Sequence, residues 1–221
     1  MNDVKDFQTV RITFAKEGLA RYISHLDLNR TMIRALRRAQ LPIWYTEGFN
    51  KHPYVTFAAP LSLGYEGERE TMDVRLNETI PMQQVVDRLN AVMPTGLCIL
   101  NADTAVRKAG DVDRAVYRIA VQCSLEQVEA YVSQPVITVK KRTKKKTWKE
   151  LDLRPVLDRA ESTLSTEGNT TVWQLTLPCN SNESVNPSLV MEGLKQFLNG
   201  EEPLFFVRRL AVLDKDGKEF A

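Results

Sequence analysis

The sequence predicts an α+β fold made of two tandem domains with antiparallel sheets. Three observations point there: stretches that alternate apolar and polar residues at period two, stretches whose apolar residues recur at helical spacing, and an order of strand, helix, strand, strand, helix, strand that runs through the chain twice. That order is the ferredoxin-like βαββαβ unit. A polar connection at 106–114 separates the two runs, so the domains are expected at 1–110 and 111–221.

In the first run, Thr9-Val10-Arg11-Ile12-Thr13-Phe14 alternates as a half-buried strand does, and Gly18 breaks it. Ser24 followed three residues later by Asp27 resembles a capping box. It opens a helix whose Leu28, Met32, Ala35, Leu36 and Ala39 fall on one face and which Pro42 ends. A second strand is expected at 43–46, running into the turn at Gly48-Phe49-Asn50, with 54–58 extending or pairing with it. Residues 60–67 read as a loop, 71–76 alternate, Pro81 opens a helix, and 97–100 form a short apolar strand. In the second run, 116–121 form a strand and Ser124 caps a helix at 125–132. The extended basic segment 135–149 and a short helix within 153–164 are insertions. Residues 172–177 alternate again, a helix at 187–199 stops at Gly200, and 204–207 with 210–213 close the sheet.

The 221 residues are 43% hydrophobic, enough for a core, and the net charge of +2 excludes a polycation overall. Cys98, Cys123 and Cys179 are odd in number and widely spaced, which suggests reduced, mostly buried thiols and a cytoplasmic location. No two of them have metal-ligand spacing, and two histidines do not complete a zinc site, so neither metal nor cofactor is expected. Glu66, Glu68, Glu70 and Asp73 share no fixed geometry. Asp3, Lys5 and Asp6 interrupt the first twenty residues, against a secretory signal, and no stretch approaches the roughly twenty apolar residues of a membrane span.

Three features carry the functional reading. Arg30, Arg34 and Arg37 are spaced i, i+4, i+7 on the polar helix face, with Arg38 beside them, and forked guanidinium donors suit phosphate oxygens. In the run from Lys140 to Lys149, cations fill seven of ten positions and no acid intervenes before Glu150. An extended backbone sets Lys140, Arg142, Lys144 and Lys146 on one side, and Trp148 adds a stacking face. The third feature is the segment 43–53, where Trp44, Tyr45 and Phe49 surround a glycine turn followed by Lys51 and His52. Of Trp44 and Tyr45, one must face inward, because successive strand residues point opposite ways. His52, flanked by Lys51 and Pro53, has little structural reason for its place, while His25 fits the first turn of the arginine helix. These two are the candidate catalytic groups.

The motifs Tyr22-Ile23-Ser24-His25-Leu26-Asp27-Leu28, Ala35-Leu36-Arg37-Arg38-Ala39, Glu47-Gly48-Phe49-Asn50 with His52-Pro53, Pro60-Leu61-Ser62-Leu63-Gly64 and Asp152-Leu153-Arg154-Pro155 together resemble the bacterial radical-SAM-linked protein family, an uncharacterised domain. The resemblance spans about 10–213, and Lys51 stands where family members commonly carry proline. It implies that the domain is encoded beside, or fused behind, a radical SAM protein that often has a cobalamin-binding domain. A radical SAM enzyme holds its cluster on three closely spaced cysteines, which this chain lacks, so the resemblance implies a partner and not that chemistry. The tandem arrangement is also similar to that of CRISPR repeat-processing endoribonucleases, in which a histidine acts without metal.

The expected function is therefore an RNA-binding accessory protein that presents transfer or ribosomal RNA to a separate radical SAM modifying enzyme. Arg30, Arg34, Arg37, Lys51, Lys140, Arg142, Lys144 and Lys146 would hold the backbone, and Tyr45, Phe49 and Trp148 would stack bases. Two alternatives stand beside it: a metal-independent endoribonuclease using His52, and a module that docks the radical SAM partner without RNA.

Overall fold

A computed structural model of the chain describes residues 7–142 and 147–220. It is a mixed α+β protein with mostly antiparallel strand pairing. Two compact units divide it, Met1–Val112 with Ala211–Ala221, and Asp113–Leu210.

The first unit contains β1 (Gln8–Lys16), α1 (His25–Arg38), β2 (Val55–Phe57), β3 (Glu66–Leu76), α2 (Met82–Asn90) and β4 (Leu97–Thr104). Its strands run in the order β4-β1-β3, with β2 also on β3. On one face Val10, Ile12 and Phe14 of β1 meet Leu28, Met32, Ala35 and Leu36 of α1 and Val85 and Leu89 of α2 in a single apolar cluster. The period-two alternation places Arg11 on the opposite face, where it is only 3% exposed. Its guanidinium donates to both carboxylate oxygens of Asp73, its register partner on β3, at 2.8 and 3.0 Å, and to the Arg107 carbonyl at 2.6 Å. The Phe220 ring lies 4.1 Å from the guanidinium carbon and is itself buried. A charge buried this deeply requires such partners. They show why the last eleven residues, expected with the second domain, group with the first.

The second unit contains most of β5 (Val112–Val121), then α3 (Leu125–Val132), β6 (Thr138–Arg142), β7 (Trp148–Asp152), α4 (Arg154–Arg159), β8 (Ser162–Glu167), β9 (Thr170–Pro178), α5 (Pro187–Phe197) and the first part of β10 (Phe205–Asp214). The strand order here is β10-β5-β9-β8, and β6 and β7 form a separate hairpin. Trp173 of β9 is wholly buried, and Tyr131 of α3 packs edge-on against it at 6.4 Å. The Tyr131 hydroxyl donates to the Val190 carbonyl of α5 at 3.0 Å, and burial raises its pKa far above the ordinary phenol value.

Five local expectations differ from the structure. Residues 43–46 make only single bridges, Ile43 to Leu76 and Tyr45 to Pro53, because Pro42 and Pro53 have no N–H to extend a ladder and the Asn77 amide takes the Ile43 carbonyl. β3 starts at Glu66, inside the expected loop. β8 was not expected, and 204–213 forms one strand where two were. Cys98 is exposed, since the alternation of β4 turns Leu97 and Ile99 inward; Cys123 and Cys179 are half-buried, and none of the three is in a disulfide. Among the described residues no helix is long and apolar enough to cross a membrane.

Candidate nucleic-acid interface

The first cationic surface is α1. Ser24 caps it: its hydroxyl accepts from the Asp27 N–H at 3.1 Å and donates to the Asp27 carboxylate at 2.7 Å. That hydroxyl is the main reason the Asp27 carboxyl titrates below its ordinary value. With Leu28, Met32, Ala35 and Leu36 turned inward, Arg30, Arg34, Arg37 and Arg38 are exposed. Arg30 is paired with Asp27 at 3.2 Å, and Arg38 donates to the Val92 carbonyl at 2.7 Å. Arg37 donates to the Tyr45 hydroxyl at 3.3 Å, with its guanidinium 5.9 Å from that ring. Among the described residues Arg34 makes no ion pair or hydrogen bond.

The segment after α1 turns its aromatics two ways. Trp44 goes inward to Arg75, whose guanidinium carbon lies 5.1 Å from the Trp44 ring, 4.0 Å from Tyr54 and 4.1 Å from Phe7. Tyr45 goes outward to Arg37. Gly48 has φ +115, open only to glycine, and this reverses the chain and leaves Phe49 fully exposed beside exposed Lys51. His52 is exposed, with Nδ1 3.0 Å from the Asn50 carbonyl and 3.1 Å from the Thr46 hydroxyl. A carbonyl only accepts, so in the tautomer with its proton on Nδ1 the ring donates to Asn50 and leaves Nε2 as the acceptor. His25 packs edge-on against Phe57 at 4.9 Å and is half-buried.

The second cationic surface is the β6–β7 hairpin. Its register sets Lys140 opposite Glu150, Lys141 opposite Lys149 and Arg142 opposite Trp148. Lys140 and Trp148 are exposed, whereas Lys141 donates to the Ser184 carbonyl at 2.7 Å. Lys144 and Lys146 lie outside the described residues. Lys140, Trp148 and Glu150 line a groove of about 770 Å³ whose other wall is α5, through Leu189, Glu192 and Gln196. Sequence reasoning passed over these three α5 residues. Their i, i+3, i+7 spacing marked a common face, but nothing local tied that face to the hairpin.

Fold and surface together define a mixed α+β protein with mostly antiparallel sheets and cations displayed on a helix and on a hairpin. Residues 9–187 match the model of a family described as "Uncharacterized protein conserved in bacteria (DUF2344)", and the chain belongs to that family. No curated protein matches the sequence. Among solved structures the chain is similar to one in "Crystal Structure of a Cbf5-Nop10-Gar1 Complex", with a TM-score of 0.44 and 9% identity. That alignment takes in 92% of this chain and 48% of the other, so this chain spans about half its length.

Proposed function

We propose that this protein binds RNA and presents it to a separate radical SAM modifying enzyme, with transfer or ribosomal RNA as the substrate class. The observation that carries the reading is the exposed face of α1, where Arg30, Arg34 and Arg37 stand in line and Tyr45 abuts Arg37. Phe49 and Lys51, exposed on the turn that follows, add a stacking ring and a cation. Lys140 and Arg142 of the hairpin, with Lys144 and Lys146 from the same basic run of the sequence, are the matching phosphate contacts, and Trp148 is the stacking face. The strand order of each unit supports reading them as ferredoxin-like, since β4-β1-β3 with β2 on β3 and β10-β5-β9-β8 follow one scheme. The radical SAM partner rests on the sequence motifs, and co-purification of the two proteins after nuclease treatment tests it. For RNA binding, the purified chain is mixed with bulk cellular RNA at low salt. Retention that is reversed by raising the salt is expected, and no retention refutes the reading.

A second reading has its own observation. The Asn50 carbonyl accepts from His52 Nδ1 in the tautomer that leaves Nε2 open as a base, the form a metal-independent endoribonuclease requires. It predicts RNA cleavage in the presence of chelator and loss of cleavage in His52→Ala. A binding surface instead tolerates His52→Arg.

A further inference from the structure

The groove between the β6–β7 hairpin and α5 holds side chains that phosphate binding alone does not call for. Trp148 offers an indole that is 68% exposed, Lys140 a cation, and Glu150 and Glu192 two carboxylates, with Leu189 and Gln196 completing the lining. Carboxylates repel a phosphate backbone, so their place beside a stacking ring calls for a ligand that donates to them. An ionised carboxylate only accepts, and accepts well in pairs. Among the four RNA bases only guanine presents two adjacent N–H donors, N1–H and N2–H, on its Watson–Crick edge. Adenine and cytosine set one donor beside an acceptor, and uracil flanks its single donor with carbonyls.

We propose that this groove takes a guanine base of single-stranded RNA, an assignment that rests on the RNA-binding reading above. The ring stacks on Trp148, N1–H and N2–H donate to the Glu192 carboxylate, and Lys140 holds the adjoining phosphate. Two observations choose between the carboxylates. Glu150 stands directly opposite Lys140 in the ladder, on the same face as that ammonium, which offsets its charge. Glu192 is held on α5 by the Gln196 amide, which donates to it at 3.3 Å. The groove is preformed because the hairpin is fastened to its far wall. Val139 is buried, Lys141 is tied to the Ser184 carbonyl, and Gly193 lets β6 approach so closely that a Cβ there would lie 3.2 Å from Val139. A basic peptide also satisfies an indole and carboxylates, but Lys140 in the groove lining opposes a cationic ligand.

The test uses uridine octamers carrying one central guanosine, inosine or adenosine, together with the mononucleotides GMP, IMP and AMP read by tryptophan fluorescence. Trp148→Phe keeps an aromatic face while removing the reporting indole, leaving half-buried Trp44 and buried Trp173 as background. The guanosine octamer is expected to bind at least about tenfold tighter than the inosine octamer, which lacks the N2 donors. Glu192→Gln erases that preference, and Trp148→Ala weakens the guanosine octamer on the order of tenfold. Equal affinity for the three octamers overturns the guanine site, and if their binding still falls with salt, the RNA-binding reading survives. Octamers that fail to bind while GMP quenches Trp148 overturn the RNA-binding reading and the assignment to single-stranded RNA with it, leaving a site for the free guanine nucleotide. An oligoarginine peptide that binds the groove more tightly than GMP overturns the guanine assignment.

Discussion

On α1 Arg30, Arg34 and Arg37 follow one another at about one helical turn, and the neighbouring chain supplies Asp27 for Arg30 and Tyr45 for Arg37, while adjacent Arg38 donates to the distant Val92 carbonyl. On the hairpin the ladder sets Lys141 against Lys149, a like-charge pair that weakens a strand pairing, and relief comes from the Ser184 carbonyl outside the hairpin. The helix therefore displays its cations on a frame its own sequence stabilises. The hairpin displays its cations only because Val139 and Gly193 seat it against α5. Charge substitutions on α1 should act on binding alone, whereas the hairpin responds to changes in residues that never touch a ligand.

The largest effect is expected beneath α1. Asp73→Ala strands the buried Arg11 guanidinium and should cost about 3–5 kcal/mol in chemical denaturation, loosening the sheet on which the helix rests. Next comes the seat of the hairpin. A Cβ at Gly193 would lie 2.4 Å from the Tyr131 hydroxyl, which is buried and already bonded to Val190. Gly193→Ala should therefore destabilise by about 2 kcal/mol despite its better helix propensity, with a changed Trp148 emission as the hairpin shifts. Normal stability in that variant would break the contrast between the two surfaces. A smaller loss, about 1 kcal/mol, is expected for Ser24→Ala, which removes the α1 cap.

The smallest effect is a pH dependence. The folded state depresses the Asp27 pKa, so its contribution is present above the unfolded carboxylate value near 4 and is lost as pH falls through the lower folded value. Protection of the first-turn amides of α1, measured against their intrinsic exchange rates, should fall below about pH 4 in the native protein. Ser24→Ala should reduce that dependence, leaving the part that Arg30 contributes.

What could be read from the sequence was local. The strand at 9–14, the Ser24 and Ser124 caps and the apolar face of α1 each lie within one element, and the structure has all of them, though β1 is buried on both faces where its alternation implied one. β8 escaped because five of its six side chains are exposed, which leaves no alternation to detect. β10 looked like two strands because Arg208 and Arg209 interrupt its apolar run, yet Arg209 is buried in the folded chain. Phe220 over Arg11 joins residues more than two hundred positions apart, and no local pattern encodes it. For the candidate site the same division holds. The outward face of α1 follows from helical spacing, whereas the carboxylates beside Trp148 arise from the docking of α5.

The central claim is that the α1 arginines hold an RNA backbone, and the salt dependence of binding tests it most directly. The logarithm of affinity for a single-stranded RNA should fall linearly with the logarithm of salt concentration. Replacing Arg34 and Arg37 with glutamine should reduce that slope by roughly 0.7 for each phosphate contact removed, with the thermal melt unchanged. An unaltered slope in the double variant, or binding insensitive to salt in the native protein, contradicts the claim.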